Sequence, residues 1–255
     1  MRRALGALAL VGAMMSAPAR AENTIAADIT ILCDPGAAYA VSDAGTLWQR
    51  RTGISIHVIA APTPLLLEQI AHRIRSDLVI VEGETNAAAA ASSGSIKPET
   101  RFGGWRNRLV LAERASGRGN SAQSSDLASL IAQGPVAIVD APVDTAGLET
   151  RQAFEATGLW DSVQKQATGV ANTDDAAYLL ETGKVKLAVI YATGAAANHG
   201  LTVAATLPGA SYPPIIYWAA ETSVVVNPET PKFAAFLQQP EARQILRADG
   251  LEVTP

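Results

Sequence analysis

Pro135-Val136-Ala137-Ile138-Val139 runs into Asp140-Ala141-Pro142-Val143-Asp144-Thr145-Ala146-Gly147 and then into a segment marked by Leu148, Phe154 and Leu159. The apolar run reads as a buried strand, and the polar turn ends it. The markers that follow read as a helix with Gly158 inside it. A strand that passes through a glycine-containing turn into a helix presents free backbone N–H groups at the helix N-terminus. With the positive end of the helix dipole, those donors suit an anion. A second apolar run, Leu187-Ala188-Val189-Ile190-Tyr191, closes the stretch and ends in a phenol.

Working outward, the first third of the chain has the same alternation. Ile29 to Leu32, Ile54 to Ile59 and Leu78 to Val81 read as strands. Between them Val41, Ala44, Leu47 and Trp48, closed by Gly53, and then Leu66, Ile70 and Ile74 keep helical spacing. A β-α-β-α-β order with short connections predicts a parallel sheet with right-handed crossovers, whose ligand site lies at the carboxyl ends of the strands. That places Cys33 to Tyr39 and Ala61 to Pro64 at the mouth. Further along, Glu84 to Gly94 reads as a helix, Leu109 to Ala112 as a strand, and Leu127 to Ile131 as a helix capped near Asp126. A helix follows Asn172-Thr173-Asp174-Asp175. Leu201 to Leu207, Ile215 to Ala220 and Ser223 to Val226 read as strands. Pro231 to Leu246 reads as one helix, which Gly250 ends.

Asp140 to Gly147, Gly158-Leu159-Trp160-Asp161 and Leu187 to Tyr191 resemble the molybdate-binding periplasmic proteins of ABC importers, and the resemblance extends from about Ile29 to the C-terminus. It implies an α/β fold of two lobes, each a mostly parallel sheet flanked by helices, with the ligand cleft between them. The implied lobes are residues 24–107 plus 207–255, and 108–206. It also implies capture of a tetrahedral oxyanion, molybdate or tungstate, and its delivery to a membrane ABC permease. The implied ligand residues are Gly36, Thr63, Ala146, Thr173 and Tyr191: hydroxyls from Thr63 and Tyr191, and backbone N–H groups near the other three. No catalytic residue, metal site or cofactor is implied, and the protein is expected to be a monomer.

Two departures from the family bear on that site. Gly36 stands where the family has a ligand Ser, with Asp34 just upstream, and a carboxylate close to a dianion costs several kcal/mol unless it turns away or is protonated. Pro62 and Pro64 flank Thr63, and Pro64 has no N–H to offer. A diverged solute-binding protein for another small ligand (another anion, a metal or a small organic) or an accessory periplasmic protein therefore stands as the alternative.

Met1-Arg2-Arg3, the apolar Ala4 to Met15 and Ala19-Arg20-Ala21 have the form of a secretory signal peptide cleaved after Ala21, which places the mature protein in a periplasm. The apolar core falls short of the ~20 residues a membrane span needs. Removing residues 1–21 removes three Arg and no acid, so the formal charge moves from −4 to −7, which argues against nucleic acid and anionic membrane as partners. One Cys permits no internal disulfide. Cys33 and His57 read as a small buried thiol and a solvent-facing imidazole. Asp140, Asp144, Asp174 and Asp175 read as caps and turn residues. The chain contains no Gly-x-Ser-x-Gly, His-Glu-x-x-His or Gly-x-x-x-x-Gly-Lys-Ser/Thr, and is expected not to be an enzyme.

Overall fold

The computed structural model describes residues 28–115, 126–140 and 145–254. The expected signal peptide, the segment Gly117 to Ser125 and residues 141–144 of the expected turn lie outside the described residues. In chain order the first part holds β1 (Ile29–Cys33), α1 (Pro35–Thr52), β2 (Ile56–Ala60), α2 (Thr63–Ala71), β3 (Leu78–Glu82), α3 (Glu84–Ser92) and β4 (Phe102–Asn107). The middle holds β5 (Leu109–Arg114), α4 (Leu127–Ile131), β6 (Val136–Val139), α5 (Thr145–Ala156), α6 (Trp160–Gln164), β7 (Ala167–Val170), α7 (Thr173–Glu181), β8 (Leu187–Tyr191), α8 (Ala192–Ala197) and β9 (Leu201–Thr206). The last part holds β10 (Ile215–Glu221), α9 (Thr230–Leu237) and α10 (Pro240–Ala248).

These strands form two five-stranded sheets, ordered β2-β1-β3-β10-β4 and β7-β6-β8-β5-β9. In each sheet the first three strands are parallel, and a returning strand, β10 or β5, joins antiparallel. The architecture is the two-lobed α/β fold that the family resemblance implies, with the parallel sheets that the alternation predicts. β3 and β8 are buried along their whole length, as central strands covered on both faces must be. Trp48 on α1 meets Phe233 and Phe236 on α9 at ring-centroid distances of 5.6 and 5.4 Å, which ties the C-terminal helices to the first sheet.

Several local expectations need correction, each for a physical reason. α1 begins at Pro35 rather than beyond Tyr39, because Asp34 is its N-cap and Pro35 occupies the first turn, where a missing N–H costs nothing. Gly158, with φ +71°, lies beyond the end of α5 rather than inside a helix. The segment from Pro231 to Leu246 is two helices, since Pro240 cannot continue the first and opens the second. β4 and β7 are edge strands too short or too polar to show an alternation.

Ser223 to Val226 is not a strand. A buried carboxylate organises this segment instead: Asp77 Oδ1 accepts from the N–H groups of Val226 and Asn227, both at 3.0 Å, and Oδ2 accepts from Thr30 N–H at 2.9 Å. Replacing Asp77 with Ala strands three backbone donors. It is expected to lower stability by about 2–4 kcal/mol, measured as a fall in the urea midpoint. An unchanged midpoint would show that the bracket is dispensable.

Candidate functional site

The parallel strands of both sheets end at the same place. β1 ends beside Asp34, β3 ends on Glu82, β8 ends on Tyr191, and α5 starts with Thr145 after β6. Asp34 and Glu82 are both buried. Asp34 Oδ1 accepts from the Gly36 N–H at 3.1 Å, and its Oδ2 accepts from the Thr63 hydroxyl at 2.7 Å. Thr63 in turn accepts from the Glu82 N–H at 2.9 Å. Across from the first sheet, Tyr191 and Thr145 each donate a hydroxyl to Glu82 Oε2 at 3.3 Å. Glu82 thus joins the second sheet to the first.

Four residues from both halves of the chain complete the cluster. Glu149 sits one helical turn after Thr145, so the two share a face of α5, and it is buried. Tyr217 pairs with Glu82 in the β10–β3 register and is fully buried. Its hydroxyl stands 1.9 Å from where a Cβ on Gly36 would be, which explains the glycine: the space for a side chain at residue 36 is already filled. Asn107, at the end of β4, donates to the Gly36 carbonyl at 2.8 Å, and Thr193 donates to the same carbonyl at 2.9 Å.

The electrostatics are one-sided. Burial pushes the Tyr191 phenol well above the usual range, and Glu82 adds to the effect. Burial does the same to Tyr217, with Asp34 and Glu82 adding. Both rings therefore keep their protons and stay neutral, and Tyr191 donates to Glu82. Cys33 is buried and its thiol is likewise pushed up, by burial and then by Asp34, so it is an inert core residue rather than a nucleophile or metal ligand. His57 is exposed and pairs with Asp28 at 2.9 Å. Among the described residues, no group of three His, Cys, Asp or Glu is arranged to hold a metal ion.

Residues 29–252 match the model of a family described as bacterial extracellular solute-binding protein. The chain belongs to the bacterial extracellular solute-binding proteins. It is 26% identical over 228 residues to the molybdate-binding protein ModA of Escherichia coli K12, covering 88% of this chain and 89% of that one. The periplasmic molybdate-binding protein of Azotobacter vinelandii superposes with a TM-score of 0.73 at 18% identity, over 89% of this chain and all of that one. Iron-bound HitA of Pseudomonas aeruginosa superposes with a TM-score of 0.57 at 18% identity, over 88% and 85% of the two chains. The two structural likenesses show the fold. Family members bind solutes and are not enzymes.

Within this solute-binding protein, Gly36, Thr63 and Tyr191 come together in the cluster just described. Ala146 is buried beside Thr145 on the first turn of α5. Thr173 starts α7, whose cap is Asn172. It lines a groove of about 340 Å³ with Tyr39, Asp174 and Ile190, where Tyr39 donates to Asp174 at 3.2 Å. Glu82, Glu149, Asn107 and Tyr217 escaped the sequence reading. Glu82 alone left a signal, as the one acid closing the apolar run from Leu78 to Val81.

Thr63 is the joint of the cluster, since its single hydroxyl serves both Asp34 and the Glu82 backbone. Thr63→Val is expected to cost about 2–4 kcal/mol by removing the hydroxyl that serves a buried carboxylate and a buried backbone donor. Thr63→Ser is expected to retain most of the stability. Thermal denaturation of the pair checks this, and equal losses would mean that the methyl group matters as much as the hydroxyl.

Proposed function

We propose that the protein is an extracytoplasmic solute-binding protein that captures one small solute between two lobes, residues 24–107 plus 207–255 and residues 108–206, and hands it to the membrane permease of an ABC importer. It is exported to the periplasm as a monomer behind a leader cleaved after Ala21. The observation that carries this reading is the convergence of buried polar groups from both sheets on Glu82: Tyr191 and Thr145 from one, and the Asp34–Thr63 pair from the other. Buried polar groups are costly unless they are used, and a cluster shared between two lobes is where a solute-binding protein puts them to use.

An oxyanion, molybdate or tungstate, is the second reading. It is supported by the molybdate-binding relative and by the hydroxyls of Thr63 and Tyr191, which the family resemblance implies as ligand groups. Its difficulty is electrostatic. The donors expected for the anion at Gly36, Thr63 and Tyr191 donate to Asp34 and Glu82. Two unit charges ~5 Å apart repel by roughly 3 kcal/mol at an effective dielectric constant of about 20, so a dianion pays about twice that for each ionised carboxylate. A hydrogen bond to a charged ligand returns about 1.5–3 kcal/mol. Repulsion therefore outweighs what the three donors offer.

Native mass spectrometry of the protein, mixed in turn with oxyanions, metal salts and small organics, is expected to show a one-to-one complex with a single class. No complex with any class would contradict solute capture. For the oxyanion reading, calorimetry is expected to give weak or absent molybdate binding to the wild type and a gain of at least about ten-fold in affinity in Asp34→Ala. Tight wild-type binding that Asp34→Ala leaves unchanged would show that Asp34 does not oppose the anion.

A further inference from the structure

We propose that the protein carries a second binding site, for a small polyanion with phosphate or carboxylate oxygens, in an arginine-lined groove where the chain crosses between the two sheets. The site goes beyond the solute-binding reading above and does not rest on it. β4 of the first sheet and β5 of the second are separated by Arg108 alone. The Arg108 carbonyl accepts from the Ala192 N–H at the start of α8, at 2.9 Å. The C-terminal segment packs at the same crossing: Arg106 and Glu252 exchange backbone hydrogen bonds at 2.9 and 2.8 Å. Arg247, in the last turn of α10, completes the wall. Arg106, Arg108, Arg247 and Glu252 line a groove of about 490 Å³. Arg108 and Arg247 also line an adjoining groove of about 540 Å³ that reaches α8 and β9.

The chain as a whole is acidic, with 20 Lys and Arg against 24 Asp and Glu. Among the described residues that line the two grooves the balance is reversed: three Arg, and Glu252 as the one acid. Glu252 serves one guanidinium, accepting from Arg108 Nη1 at 3.2 Å. Arg247 donates its Nε–H to the Val253 carbonyl at 3.0 Å, which fixes its direction without supplying a counter-charge. The exposed Arg106 side chain has no hydrogen bond or ion pair among the described residues. A cation in the last turn of a helix suits the dipole, which accounts for Arg247, and a surface ion pair accounts for Arg108. Neither role accounts for Arg106, nor for three like charges in one concavity, which repel each other unless an anion shares them. Guanidinium forks match the paired oxygens of phosphate and carboxylate. The buried Leu251 and Val253 also line the first groove, so the attraction acts beside an apolar surface and is screened less than in open water.

Calorimetry on the full mature chain, with inorganic phosphate, pyrophosphate and citrate in turn, tests the site, and the phosphate and carboxylate arms show which oxygens it takes. At least one anion is expected to bind one-to-one, and more weakly as NaCl rises from about 0.05 to about 0.5 M. Arg106→Gln and, separately, Arg247→Gln are expected to weaken it about ten-fold each. Glu252→Gln is expected to act the other way and strengthen binding about three-fold, because it removes a repelling carboxylate and frees Arg108. All three variants leave the interlobe cluster untouched, so their effects are separate from those of a solute held there. No heat with any of the three anions would overturn the proposal. Binding that neither arginine variant weakens would place the anion elsewhere and overturn it too, as would a Glu252→Gln variant that binds less tightly than the wild type. Should Arg247→Gln lose stability with its bond to Val253, Arg106→Gln decides alone, since that side chain gives up no partner.

Discussion

One buried carboxylate joins the two halves of this protein at their strand ends. Glu82 closes a strand that is buried on both faces, and its side chain accepts hydroxyls from Thr145 and Tyr191 of the opposite sheet. Its own backbone N–H donates to Thr63, whose hydroxyl donates to Asp34, whose other oxygen caps α1. The starts of two helices, the ends of two parallel strands and one of the contacts between the lobes therefore depend on one connected set of polar groups. Such a set is worth keeping only if every member is satisfied, because the low dielectric that strengthens each bond also penalises each vacancy.

That constraint explains the departures from the molybdate-binding family as one change rather than several. A helix N-terminus and a hydroxyl at the mouth of an α/β sheet can hold a free anion, or they can hold a carboxylate tethered to the chain. Here Asp34 takes the second role. Once the N–H of Gly36 and the hydroxyl of Thr63 serve Asp34, a serine at residue 36 has no anion to bind, and the Tyr217 phenol fills the space. The family fold persists because the sheets and their crossovers do not depend on which anion sits at the strand ends.

Most of the fold was legible in the sequence. Leu78–Val81 and Leu187–Tyr191, in the buried strands β3 and β8, are unbroken apolar runs, and the α1 stop at Gly53 is a left-handed residue that only glycine adopts without strain. What escaped was governed by long-range partners. Ser223 to Val226 has the composition of a strand, but its backbone donors go to Asp77, some 150 residues away in the chain. The site was legible in part. Thr63 and Tyr191 stood out through the family resemblance, and Asp34 through its charge. Glu149 and Tyr217 are ordinary residues of a helix and a strand until the two sheets face each other. The direction of the hydroxyls was not legible either, since a sequence does not say whether a donor serves a ligand or a neighbouring carboxylate.

The central claim is that the hydrogen bonds to Glu82 contribute to coupling the lobes, alongside the Thr193–Gly36 and Tyr39–Asp174 bonds. Small-angle scattering on the wild type and on Glu82→Ala, in the same buffer and without added solute, tests it most directly. The account predicts a larger radius of gyration for Glu82→Ala with secondary structure retained, because the Tyr191 and Thr145 hydroxyls lose their common acceptor. An identical radius in both proteins would contradict it.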